Sequence, residues 1–103
     1  MIYKYQGPYQ YDKRIITEWE SRAIGVYYCG YLNNTNQLVP CYVGVGTGEN
    51  GIKARLLDHI RDDNWSKVTH FGFCICSTKE EAEDFEKNEI IKFNPVYNTE
   101  YTL

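Results

Sequence analysis

The chain has no apolar run near the roughly 20 residues that cross a membrane. Its start, Met1-Ile2-Tyr3-Lys4-Tyr5-Gln6, lacks the charged-then-apolar layout of a secretory leader. The expectation is a cytoplasmic protein with no membrane partner. Its four cysteines, Cys29, Cys41, Cys74 and Cys76, never fall in a Cys-x-x-Cys spacing, which excludes the common zinc frameworks. Cys74 and Cys76 lie two apart on an expected strand and so share a face, where a soft ion could bind. Buried free thiols explain them more simply, and without signs of secretion disulfides are not expected. Positive charge is also scarce. The formal net charge is −3, which counts against functions that depend on gripping a phosphate backbone, because that grip comes from Lys and Arg. At 103 residues there is room for one modest core and not for two domains of ordinary size.

Tyrosine, by contrast, is abundant, with 10 residues. Gly25-Val26-Tyr27 and Tyr42-Val43-Gly44 lie on either side of the polar connection Asn33-Asn34-Thr35-Asn36-Gln37. Two runs of Val, Tyr and Cys joined in this way predict a β-hairpin, with strands over Ile24 to Leu32 and Leu38 to Val45. Facing side chains on paired strands lie about 4.5–5.5 Å apart at Cβ, so Tyr27 and Tyr42 can hold two phenols together if the register has an odd sum. They can equally be two amphipathic core residues.

Upstream, Tyr3, Tyr5, Tyr9 and Tyr11 surround Gly7-Pro8, a turn signal. An extended or irregular arm over residues 1–23 is expected, with a helical turn near Thr17 to Glu20. It either adds an edge strand that covers the sheet or offers an aromatic surface to unpaired nucleotides. Downstream, Gly44, Gly46, Gly48 and Gly51 form a loop into a helix over Ile52 to Arg61, without the Gly-x-x-x-x-Gly-Lys-Ser/Thr spacing of a phosphate loop. Arg55 and His59, four apart, share one face of that helix beside the stripe Ile52, Leu56 and Ile60. On an ordinary amphipathic helix they would be surface residues. A third strand follows over Val68 to Cys76. Thr78 and Glu81 then have the capping-box spacing, and Pro95 stops the helix they start at Phe93-Asn94. On that helix Glu86 and Glu89 fall inside the arc of Ala82, Phe85, Ile90 and Phe93. A carboxylate on a core-facing stripe is costly unless paired or bound to a metal, although two glutamates at the edge of a small core can also reach water.

In order, the elements Gly25-Val26-Tyr27, Tyr42-Val43-Gly44, Arg55-Leu56-Leu57-Asp58-His59, Phe85-Glu86, Ile90-Ile91 and Pro95-Val96-Tyr97-Asn98 resemble the GIY-YIG nuclease domain. The resemblance runs from Ile24 to about Asn98 and divides the chain into a tyrosine-rich arm, 1–23, and a nuclease-like region, 24–103. Val26 and Val43 stand where the family's name has isoleucine. The resemblance implies an α+β fold, a small three-stranded and mainly antiparallel sheet flanked by helices. It also implies a divalent-metal-dependent endonuclease that hydrolyses phosphodiesters in DNA. In it Glu86 would hold Mg2+ (or Mn2+), Arg55 would clamp the phosphate, and Tyr27 would act as general base, its phenol made more acidic by Arg55, the metal and a hydrogen bond from His59 or Tyr42. Asn98 would orient Glu86 or a bound water. The protein would work in the cytoplasm, or in a nucleoid or nucleus. A catalytically idle module that binds nucleic acid or protein on the same fold is the alternative. The few positive residues near this site, Lys53, Arg55, Arg61 and Lys67, lead to the further expectation of a homodimer or a partner protein that supplies the DNA affinity.

Overall fold

The computed structural model describes residues 1–98. Among them the chain forms β1 (Gln6–Gln10), α1 (Lys13–Glu18), β2 (Gly25–Leu32), β3 (Leu38–Gly46), α2 (Gly51–Asp62), β4 (His70–Ile75) and α3 (Lys79–Phe93). The four strands make one antiparallel sheet in the order β1-β4-β2-β3. The expected hairpin is β2–β3, with its turn closed by Asn33, whose side chain accepts from the backbone of Thr35 and Gln37.

The sheet has one strand more than the sequence implies. Gly7-Pro8 is not a turn but lies inside β1, where the pairing with β4 shifts register between Gln6 and Tyr9. Proline donates no hydrogen bond, and a bulge on an edge strand is a place that tolerates the loss. β1 therefore covers the outer edge of β4, and Asp12 caps α1 by accepting from the backbone N–H of Arg14 and Ile15.

Both faces of the sheet are covered. On one, Ile16 of α1 and Ile52 and Leu56 of α2 pack with Tyr27, Cys29, Phe71 and Phe73. On the other, Ile90 and Phe85 of α3 pack with Val26, Tyr28, Val43 and Cys74. Alternation along β2 thus sends Tyr27 and Tyr28 into different layers. The four cysteines are buried and unpaired, and burial pushes each thiol up from its ordinary pKa. They serve as packing.

Three helix ends show how locally the elements are fixed. α2 begins at Gly51, with φ +55°, and an added Cβ there would lie 2.0 Å from the Ala23 carbonyl oxygen. Only glycine fits, and it lets Ile52 N–H reach that carbonyl at 3.0 Å. α3 starts at Thr78, whose side chain accepts from Glu81 N–H at 3.2 Å, while Glu81 reaches back to Ser77 N–H at 3.0 Å. It ends on Asn94 in the left-handed conformation, just before Pro95.

The outer edge of β3 is closed by the segment after α3. Tyr97 N–H donates to the Cys41 carbonyl at 2.8 Å, and the buried Asn98 amide both accepts from Val43 N–H and donates to Val43 C=O, each at 2.8 Å. The side chain acts here as a short extra strand on an exposed edge.

Candidate functional site

Tyr27 faces Gly44 across the hairpin and Tyr42 faces Cys29, so the register is the odd-sum one and both tyrosines point toward α2. Their ring centroids are 6.2 Å apart. Space for the Tyr27 ring comes from Gly44, where a Cβ would sit 2.4 Å from the Tyr27 hydroxyl. Bulk at this position and a buried phenol exclude each other.

α2 brings the third member. His59 is 6% exposed, and its Nε2 lies 2.7 Å from the Tyr27 hydroxyl. Tyr42 meets the same imidazole edge-on, with centroids 4.9 Å apart. Arg55, one turn earlier and exposed, pairs with Asp58 at 3.1 Å and acts on the Tyr27 hydroxyl through its charge. Four residues spread over 33 positions of sequence therefore meet around one phenol.

The electrostatics of that phenol run against a free phenolate. Burial pushes the Tyr27 hydroxyl well above its ordinary pKa, Tyr42 and Cys29 add to the rise, and Arg55 alone among the named neighbours pulls it down. Burial also lowers the His59 pKa, an effect partly opposed by its hydrogen bond to Asp63. The imidazole is thus held neutral at neutral pH and retains a lone pair for a proton.

Two contributors are not among the residues expected at the site. Asp63 caps the end of α2, and its Oδ2 is 2.7 Å from His59 Nδ1. The signal was available, since Asp63 follows His59 by four residues, the helical spacing for a same-face pair. Trp65 stacks on His59 with centroids 4.4 Å apart, meets Tyr42 at 4.8 Å, and lies almost parallel to the Tyr97 ring at 5.6 Å. No periodicity marks it, because it belongs to the loop between α2 and β4.

Glu86 occupies the middle of the buried stripe of α3, between Ala82 and Ile90, and is 9% exposed. Glu89 sits at the margin of that stripe and accepts from the Tyr28 hydroxyl at 2.6 Å. β2 and β3 are the strands that both α2 and α3 pack against. Among the described residues no three His, Cys, Asp or Glu side chains are grouped to hold a metal. A cation at Glu86 would therefore complete its shell mostly with water and phosphate oxygens, a donor set that suits Mg2+ better than zinc. Asn98, expected to orient Glu86 or a water, instead directs both ends of its amide to the Val43 backbone. It supports the strand that carries Tyr42.

A cleft of about 750 Å3 runs along the outer side of α2, lined in part by Arg22, Lys53 and Arg61. Lys53 donates to the Thr17 carbonyl, and Arg61 pairs with Asp58 and Asp62. Among the described residues no helix is long and apolar enough to cross a membrane. No protein-family model matches the chain, and no curated protein matches it.

Proposed function

We propose that the protein is a divalent-metal-dependent DNA endonuclease of the GIY-YIG kind, with Tyr27 as the base that deprotonates the attacking water. The observation that carries this reading is the 2.7 Å contact between the Tyr27 hydroxyl and His59 Nε2 inside a cluster completed by Tyr42 and Arg55. A buried phenol above its ordinary pKa is a poor base until something takes its own proton, and a neutral imidazole at hydrogen-bond distance is suited to do so. Arg55 would bind the scissile phosphate and stabilise the charge that builds during attack. Glu86 would hold Mg2+ (or Mn2+), which supplies charge neutralisation on the phosphate and on the leaving oxygen. Tyr42 and Trp65 wall the imidazole and keep its plane fixed.

Affinity for DNA should be low for the chain alone. Of the four cations near the site, Arg55 and Arg61 are paired with carboxylates, and α3 opens with Glu80, Glu81, Glu83 and Asp84. A second copy or a partner protein would supply the grip, with the tyrosines of residues 1–11 as a contact surface.

A plasmid-nicking assay with Mg2+ tests the reading. Wild type should nick and Arg55→Ala should not, while their stabilities differ by no more than about 1 kcal/mol, the most that the exposed Arg55–Asp58 pair contributes. Equal nicking by the variant would mean that Arg55 is the wrong arginine or that a contaminating nuclease produces the signal. DNA binding without cleavage by the wild type would favour the catalytically idle module.

A further inference from the structure

We infer that Asp63 is a positioning residue: it fixes the tautomer of His59 so that the imidazole accepts the Tyr27 proton. The catalytic part of this inference rests on the nuclease reading. The tautomeric part rests on geometry alone. His59 is contacted at both ring nitrogens, Nε2 by the Tyr27 hydroxyl and Nδ1 by Asp63 Oδ2, each at 2.7 Å. A neutral imidazole has one N–H, and a carboxylate is acceptor-only. The proton therefore belongs on Nδ1, donated to Asp63. The opposite tautomer would set the Nδ1 lone pair against a carboxylate oxygen. With Nδ1 protonated, Nε2 is an acceptor and the Tyr27 hydroxyl is the donor. The direction is the reverse of a histidine that donates to a phenolate.

The proton balance follows. As the attacking water loses a proton to the Tyr27 oxygen, the Tyr27 O–H bond breaks and an Nε2–H bond forms, leaving tyrosine neutral and His59 an imidazolium. The hydroxide then attacks phosphorus, a new P–O bond forms as the bond to the leaving oxygen breaks, and that oxygen departs as an alkoxide that takes a proton from solvent water. One proton has moved from water to His59 through Tyr27, and the imidazolium donates to Asp63 on its other side. The other charged groups acting on the ring are Arg55, which opposes the imidazolium, and Asp58 and Asp62, which favour it.

The backbone makes Asp63 suited to this. Its own N–H donates to the His59 carbonyl at 2.8 Å, closing the last turn of α2 and fixing the distance between the two side chains. The side chain of His59 is 7% exposed and that of Asp63 is 42% exposed, so Asp63 is the end of the series open to water. Tyr42 and Trp65 restrain the ring by contact, but carry no acceptor at Nδ1.

The test is long-range 1H–15N NMR of the imidazoles in the full chain at neutral pH, without DNA or metal. The chain has two histidines, and His70, with Nδ1 2.8 Å from Thr69 Oγ1, serves as the internal control. Wild-type His59 should show the Nδ1–H tautomer. In Asp63→Ala, Nε2–H should become populated while His70 is unchanged. Asp63→Asn, whose amide can present either oxygen or NH2, should give a mixture. In nicking assays kcat should fall about 10- to 100-fold in the Ala variant, as when a functional histidine loses its orienting carboxylate, with KM little changed. An Nδ1–H ring in Asp63→Ala would overturn the inference whatever the activity. A tautomer switch with undiminished kcat would overturn the catalytic role. A wild-type protein that does not cleave would refute the nuclease reading, and the NMR result would still decide what Asp63 does to His59.

Discussion

Replacing Gly44 by Ala places a methyl group where the Tyr27 ring lies. The new carbon would stand 2.4 Å from both Cζ and the hydroxyl of Tyr27 and 2.8 Å from the Tyr42 ring. Non-bonded carbons settle near 3.5–4.0 Å, so the Tyr27 ring must retreat by about 1 Å. Tyr27 is 0% exposed and its ring is held between the sheet and α2, leaving no free side to move into. A retreat of that size stretches the 2.7 Å contact with His59 past hydrogen-bond range, which ends near 3.2 Å. Overpacking costs about 1–3 kcal/mol and the lost buried hydrogen bond about 1 kcal/mol more. For a domain of this size each kcal/mol lowers Tm by about 4–8 °C, so a fall of about 10 °C or more is expected. The control is Gly48→Ala, where the methyl would meet nothing within 4 Å, and a change within about 0.5 kcal/mol is expected. Thermal unfolding by circular dichroism and the nicking assay are the measurements. Gly44→Ala should melt early and lose cleavage. If the two variants melt together and both cleave, Gly44 is not what makes room for the phenol.

Asn98→Ala should destabilise the fold, because it strands a buried N–H and a buried carbonyl at Val43, at about 1–3 kcal/mol for each group left unmade. Urea unfolding measures it, and a wild-type midpoint would show that water replaces the amide at no cost. Glu89→Gln should leave cleavage intact, since Glu89 serves Tyr28, whereas Glu86→Gln should abolish it. Anomalous scattering from Mn2+ beside Glu89 would reverse that assignment. The lowered pKa of His59 sets a pH dependence. Between that lowered value and about 6.5 the unfolded chain binds more protons than the native one, so stability is present above about 6.5 and is lost as pH falls through this window. Urea midpoints followed downward from neutral pH should drop, and drop less in His59→Gln. Equal slopes would mean that His59 does not titrate differently in the fold.

Local chemistry determined much of this protein. The Asn-rich connection, the alternating Tyr27 and Tyr28, Gly51, Thr78 and Pro95 act within a few residues of themselves, and they produced the hairpin, the two longer helices and their ends close to where patterns place them. Proximity of Tyr27, Tyr42 and His59 was conditional on a register that only strand pairing could choose, since a shift of one residue would have presented Tyr28 instead. The fourth strand was open only as one use of the tyrosine-rich arm, because Gly7-Pro8 reads locally as a turn, and only the bonds of β1 to β4 turn it into a bulge. The role of Asn98 was hidden for a related reason: its partner is the backbone of Val43, 55 residues away, and a backbone group leaves no mark on the sequence pattern. Asp63 lay in plain view at helical spacing from His59. What the tertiary structure decided was that this helix face is buried against Tyr27, and burial is what turns a spaced His and Asp into a hydrogen-bonded series with a defined proton.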